Sequence, residues 1–367
     1  MKKLNWKSIL GWVVAIAVIF GIIGYNAYQE KQKESKLEGQ KTVLAFIPLT
    51  GPASSYGKEI QNTFNLYKEQ HPDSKLRIDV VDSQSSGMQA TLAYQQKTLV
   101  NKPDIVIGVL SGVIGPLLPL TQKENIPLVA LHSNNEFEGF DNAQKITDER
   151  YDRALPIIEY AKRHFHKIGI LYSRDEFGTK TNDMFISAYQ DDQHIVVASE
   201  EYDLHDQNTR NIVEKVTSKN PEAIFIVGYG PAELSILRNL LTGKFDGIVL
   251  SSIGLASLDE VQGLHLEQLY FSGMESDLKN PLSPKAKAFK DAYFKKYGNY
   301  PWISAVYAYD ALSTLELFVN NGTPINRKAY TDLKEWDGVS GKINFNPDGS
   351  TSYRFFVVDT LSKEEIK

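Results

Sequence analysis

The chain of 367 residues has no cysteine. Disulfides, thiolate metal sites, a cysteine nucleophile and a lipidated cysteine are therefore excluded within this sequence. Charge of one sign is not in excess. The net charge is −5 and no Lys/Arg cluster lies on a folding segment, which argues against a nucleic-acid partner. Motifs for phosphate binding and acyl transfer are also missing. There is no Gly-rich loop ending in Gly-Lys-Ser/Thr, no Gly-x-Gly-x-x-Gly after a strand and no Gly-x-Ser-x-Gly elbow. His164 and His166 sit two apart, so they do not share a helical face as metal ligands. "NFNPDGS" has Asn344, Asn346, Asp348 and Gly349 spaced like the start of a calcium loop, but Phe355 stands where a bidentate Glu is needed. It reads as a hairpin turn. No nucleophile–base pair can be placed, so neither an enzyme nor a cofactor is expected.

The one long hydrophobic run is at the N-terminus. Lys2, Lys3 and Lys7 precede an uncharged stretch whose centre is "ILGWVVAIAVIFGIIGY". It can span a hydrocarbon core of roughly 30 Å as a transmembrane helix, with the lysines inside and the rest of the chain outside. A cleaved signal peptide is the alternative, but the small-x-small cleavage pattern is poor: Tyr25 precedes Ala27 and Ile22 precedes Gly24. Residues 1–28 are thus expected to be an anchor and 29–41, "QEKQKESKLEGQK" from Gln29, a charged tether.

From Thr42 onward apolar strands alternate with amphipathic helices. Continuous runs such as "TVLAFIPL", "DIVIGVL" and "AIFIVG" predict strands buried on both faces, in parallel, doubly wound α/β sheets. The series is too long for one sheet and breaks near "AQKITDERYD" at 143–152.

Ligands of open parallel sheets bind outside the carboxyl ends of the strands. The loops there are "TGPASSYG", "DSQSSG", "SGVIG" and "HSNNE" in the first half, and "SRDEFG", "YDLHDQN", "GYGPAE" and "SSIGLAS" in the second. The first set is small and hydroxylic, suited to an anion at helix N-termini. The second brings the aromatics Phe177 and Tyr229 and the acids Asp175 and Glu176. Each residue has a plain structural role too, the serines as helix caps and the aromatics as packing. His132 is the histidine at a strand's carboxyl end, either a ligand contact or a satisfied buried imidazole.

"IPLTGPASSYGKEIQNTFNL", "DSQSSGMQATLAYQQKTLVNKPDIVIGVLSGVIGPLLPLTQKENIPLVA", "KIGILYSRDEFG", "FKDAYFKKYGNYPWISAVYAYDALSTL" and "GVSGKINFNPDGS" resemble the extracytoplasmic solute-binding proteins of the branched-chain amino acid (Leu/Ile/Val) ABC-transporter family. The resemblance covers roughly 42–358. It implies a type I periplasmic binding fold: two α/β lobes joined by three crossings and closing on a small ligand. The lobes would be 42–147 with 275–337, and 148–274 with 338–367, hinged at Asp148, Gly273 and Gly338. The crossings would lie near Ile146–Asp148, Gly273–Ser276 and Trp336–Gly341.

Carried onto matching loops, the family's ligand contacts fall on Ser111 and Gly112, on His132, Ser133 and Asn134, and on Phe177 and Tyr229, with Tyr56 as an aromatic lid. The acid that pairs with a ligand ammonium in amino acid binders is matched by Ile253; Asp148, Asp175 or Glu176 would have to replace it. An amino-acid-like compound, an amide or a small acid is therefore expected rather than a standard branched-chain amino acid. The resemblance further implies a monomer that delivers its ligand to an ABC permease, with a membrane-anchored sensing module of the same fold as the alternative.

Overall fold

The computed structural model describes residues 39–366 apart from 52, 205, 207, 229–230 and 253–267. The expected membrane helix, most of the charged tether, and the expected contacts Tyr229 and Ile253 lie outside the described residues.

The first lobe begins β1 (Lys41–Ile47), α1 (Ser54–Gln70), β2 (Leu76–Asp82), α2 (Gly87–Val100), β3 (Ile105–Val109), α3 (Ser111–Lys123), β4 (Leu128–Leu131) and β5 (Ala143–Lys145). The second contains α4 (Arg150–His164), β6 (Lys167–Ser173), α5 (Glu176–Tyr189), β7 (Ile195–Tyr202), α6 (Arg210–Thr217), β8 (Ala223–Val227), α7 (Pro231–Thr242), β9 (Ile248–Ser251) and β10 (Leu269–Gly273). The chain then runs through α8 (Pro284–Tyr297), α9 (Ile303–Asn320), α10 (Arg327–Thr331), β11 (Trp336–Gly338), β12 (Gly341–Phe345), β13 (Thr351–Tyr353) and β14 (Phe356–Asp359).

The first sheet has the order β2-β1-β3-β4-β5 and is wholly parallel. Its inner strands β3 and β4, and β1 from Val43 to Ile47, are apolar because helices cover both faces, whereas the edge strands β2 and β5 also carry polar residues such as Arg77, Asp79 and Gln144. On β1, Val43, Ala45 and Ile47 pack with α1, α8 and α9, whereas Leu44 and Phe46 pack with α2 and α3 through Tyr94, Ile114 and Leu117. Truncating the fully buried Phe46 to Ala would cost about 3–5 kcal/mol.

The second sheet repeats the plan in the order β7-β6-β8-β9-β10-β14, with β14 alone antiparallel to its neighbour. On β8, Ala223, Phe225 and Val227 face α4 and α5, and Ile224 and Ile226 face α6 and α7.

Three passages join the lobes. The first, at Ile146–Asp148, is buried throughout. The second leaves β10 at Gly273, where an added Cβ would come within 2.8 Å of the Phe271 ring. The third differs from the expected crossing at Trp336–Gly341. Residues of β12 and β13, namely Ile343, Phe345 and Tyr353, join the first-lobe core. Lys145 N donates to Gly349 O (3.0 Å) and Thr351 Oγ1 donates to Lys145 O (2.5 Å), which ties the turn at 346–350 to β5. The chain reaches the second sheet only at Phe356, where β14 pairs with β10. Gly338, expected at a hinge, instead lets Asp310 approach: an added Cβ would lie 2.6 Å from Asp310 Oδ1. That carboxylate accepts from Val339 N (2.7 Å) and Ser340 N (3.1 Å).

Candidate ligand-binding site

Strand order reverses between β1 and β3 in the first sheet and between β6 and β8 in the second. A reversal opens a crevice at the carboxyl edge because the two following helices lie on opposite faces. The loops at these two crevices carry the residues that follow.

After β1 the chain turns sharply into α1. Asp82 holds the turn by accepting from Leu49 N (3.0 Å) and from Thr50 Oγ1 (2.7 Å). Gly57 lets the helix start against the strand end, since an added Cβ would lie 2.0 Å from Pro48 O. Tyr56 is thereby fixed at the lip, with its ring 4.8 Å from Trp302 and edge-on to His132 at 4.9 Å. Burial pushes the Tyr56 phenol up to about 12, with Arg153 opposing and Glu233 and Asp175 adding to the rise.

After β3, Leu110 adopts φ +79° and gives α3 no side-chain cap. The first-turn amides of that helix are left for another acceptor. Ser111 does not cap it either. Its Oγ accepts from Asn134 N (2.9 Å) and so ties the β3 and β4 loops together. An added Cβ on Gly112 would meet nothing within 4 Å, so the glycine faces open space.

After β4, His132 takes a left-handed φ of +51°. Its Nε2 lies 2.8 Å from Ser304 Oγ at the start of α9. Burial, reinforced by Arg153, lowers its pKa to about 3, so the imidazole is neutral at physiological pH. Ser133 is buried and serves its own loop, donating to Asn135 Oδ1 (2.8 Å). Asn134 is exposed.

In the second lobe, Asp175 caps α5, accepting from Gly178 N and Ser173 Oγ at 2.8 Å each. Gly178 repeats the role of Gly57: an added Cβ would lie 2.0 Å from Ser173 O. Phe177 between them is half-buried and packs on the second-lobe core. Glu176 pairs with Lys180 (2.6 Å) at the surface. Asp148 is buried and engaged: Arg153 Nε donates to its Oδ2 (2.7 Å), Arg153 Nη2 and the Tyr307 hydroxyl donate to its Oδ1, and its own N–H donates to Tyr307 Oη (3.1 Å). Ser272 Oγ then donates to Arg153 O (2.6 Å). One network therefore links the first passage, the second passage and α9 of the first lobe.

The three acids considered for a ligand cation all have partners within the protein. The sequence reading missed four neighbours of the cleft. Trp302 and Ser304 come from a helix start far along the chain, Arg153 looks like a surface residue of α4, and Glu233 resembles an ordinary first-turn acid of α7. Glu233 is fully buried, neither carboxylate oxygen has a partner among the described residues, and burial lifts its pKa to about 8. In sequence only its place at the end of the strand-end loop "GYGPAE" was available as a signal.

Solved structures share this architecture. The branched-chain amino acid transporter substrate-binding protein LivJ of Streptococcus pneumoniae, in complex with isoleucine, is 19% identical; the match covers 89% of this chain and 98% of that one, with a TM-score of 0.75. A solute-binding protein of an ABC transporter from Rhodopseudomonas palustris, in complex with 3,4-dihydroxybenzoic acid, is 17% identical over 88% and 93% of the chains, with a TM-score of 0.73. The leucine-binding protein LivK of Thermotoga maritima is 21% identical over 88% and 96%, with a TM-score of 0.70. These likenesses establish the type I periplasmic binding fold. The sequence profile described as periplasmic binding protein matches residues 42–364, which takes in both lobes, all three passages and every described residue of the cleft; the chain belongs to that family.

Proposed function

We propose that this chain is the solute-binding component of an ABC importer. It captures a small organic ligand, amino-acid-like, an amide or a small acid, between its lobes and delivers it to a membrane permease. The observation that carries this reading is the chain of contacts from the first-lobe strand ends to the second lobe: the Tyr56 ring meets His132, His132 meets Tyr307, and Tyr307 and Arg153 both donate to Asp148. First-turn amides of α3 suit an anionic end of the ligand. Tyr56 and Trp302 offer ring area at low entropic cost. Closure is a hinge motion in which the ligand favours the shut form. No covalent step is involved. The family works outside the cytoplasm, and the lysine-flanked apolar run near the N-terminus supports tethering to the membrane surface.

The test joins two measurements. Calorimetric titration of the purified chain against amino acids, amides and aromatic acids is expected to give saturable binding, with a smaller radius of gyration by X-ray scattering at saturation. Uptake of the same compound by the source cells is expected to fall when the chain is deleted. Binding without compaction, or uptake indifferent to the deletion, would overturn the proposal.

A further inference from the structure

Helix α2 (Gly87–Val100) turns apolar side chains both inward and outward. Ala90 and Tyr94 are buried in the first-lobe core. On the opposite side Met88, Leu92 and Leu99 are 73%, 48% and 88% exposed. Spacings of four and seven residues put these three within about 40° of one another around the helix axis, in a stripe about 16 Å long. Val100, 87% exposed, continues it at the helix end. From Ser83 to Pro103 the chain has no acid, and its only charges are Lys97 and Lys102. Single exposed aliphatics are ordinary, but a row of them on one helix face marks an interaction surface.

The carboxyl end of this stripe lies where the chain enters the folded body. Lys41 Nζ donates to Asp104 Oδ1 (2.9 Å), Thr42 N to Asp104 Oδ2 (2.8 Å), and Asp104 N to Thr42 O (3.0 Å). The start of β1 is thus pinned to the loop that follows α2. Lys102 Nζ donates to Glu124 O (2.9 Å), which brings the end of α3, with the exposed Lys123, to the same edge. The nearby acids Asp104 and Glu124 are half-buried. Ahead of Lys41 stand the charged segment 29–40 and the apolar run read as a membrane anchor. Twelve residues reach at most about 40 Å when extended and about 20 Å as a flexible coil. A tether of that length holds this edge of the first lobe within reach of the bilayer and raises its effective concentration there.

We propose that the outer face of α2 rests on the bilayer to which the chain is tethered. Met88, Leu92, Leu99 and Val100 enter the headgroup boundary, and Lys97, Lys102 and Lys123 meet lipid phosphates. This rests on the membrane tethering proposed above. Apolar side chains flanked by lysines are what an interfacial helix offers to anionic lipid. A second copy suits the stripe less well. The stripe covers roughly 200 Å², against about 800 Å² per partner in a stable dimer, and lysines of both copies would face one another.

The chain has no cysteine, so a single introduced one carries a dye at a known place. Leu92→Cys and Leu99→Cys are each labelled with a nitrobenzoxadiazole dye. Ile195→Cys on β7 of the second lobe, 50% exposed in the parent, is the control. The full chain is reconstituted in vesicles of three parts phosphatidylcholine to one part phosphatidylglycerol, with and without lipid spin-labelled near the headgroup. The spin label is expected to quench the dyes at 92 and 99 at least ~2-fold more than the dye at 195. Lys97→Glu combined with Lys102→Glu is expected to weaken docking by roughly tenfold or more, with an unfolding midpoint equal to the parent's. High salt is expected to act in the same direction. Equal quenching at all three positions, in a chain that alkaline carbonate does not extract from the vesicles, overturns the role of α2 and leaves the tether intact. Self-quenching at 99 that excess unlabelled chain relieves, without spin-label quenching, shows a second copy on the stripe and overturns the proposal. Extraction of the chain by carbonate overturns the tether and this assignment with it.

Discussion

Replacing Asp148 by Asn tests whether the inter-lobe network is held by charge. The Asp148 side chain is 1% exposed and that of Arg153 14%. With 2.7 Å between Arg153 Nε and Asp148 Oδ2 and an effective dielectric constant near 20, the pair attracts by about 6 kcal/mol before desolvation. Desolvation of both ions takes back much of that attraction. Removing only the anion recovers little, because the guanidinium stays where it was. Asp148→Asn is therefore expected to destabilise by about 3–5 kcal/mol.

Arg153→Met should cost a similar amount by stranding the carboxylate. The double variant removes both charges and should lie closer to the parent than either single change, which gives a coupling energy of about 2 kcal/mol or more. Equilibrium unfolding in urea, followed by tryptophan emission and by circular dichroism, measures these differences. The two probes must coincide for the free energies to be compared. Additive effects, or a loss below about 1 kcal/mol for Asp148→Asn, would show that the charges are solvated and that the hinge is held by packing alone.

Gly112→Val should leave the unfolding midpoint close to the parent's, since the added Cβ meets open space, yet abolish calorimetric binding by filling the ligand's room; retained binding would move the ligand away from the α3 terminus. Burial raises the Glu233 pKa from 4.5 to about 8 on folding, so its contribution to stability is complete below pH 4.5 and is lost as pH rises through 8, a loss that unfolding midpoints across this range should show in the parent and not in Glu233→Gln. His132→Asn keeps a residue tolerant of the left-handed backbone. Because the imidazole pKa drops from 6.5 to about 3 on folding, the parent loses stability as pH falls from 6.5 toward 3, and the variant should lose less; identical acid midpoints would show His132 to be solvated.

The lobes were legible because strands covered on both faces must be apolar at every position, and β3 and β8 carry that mark without needing a partner to be known. The placement of β12 and β13 was not. "GKINF" and "TSY" alternate as strands should, but nothing local states whether Ile343 and Phe345 bury against the first lobe or the second. That choice is made by Lys145 N and O, which take the carbonyl of Gly349 and the hydroxyl of Thr351 from some two hundred residues away. The site divides along the same line. Tyr56, Gly112 and His132 could be found because parallel-sheet topology sends strand-end loops to one edge, whatever the residues do there. Their individual duties depended on distant partners: Ser111 could not be known to accept from Asn134, nor His132 to meet Ser304. Glu233 is the sharper case. In sequence it is an acid in a first helical turn, where acids are favoured anyway, and only its burial without a partner among the described residues separates it from a dipole-stabilised surface residue. Motif reading searches for groups that chemistry requires, whereas Glu233 stands out by a requirement that the described residues leave unmet, and that can be read only once its neighbours have been placed.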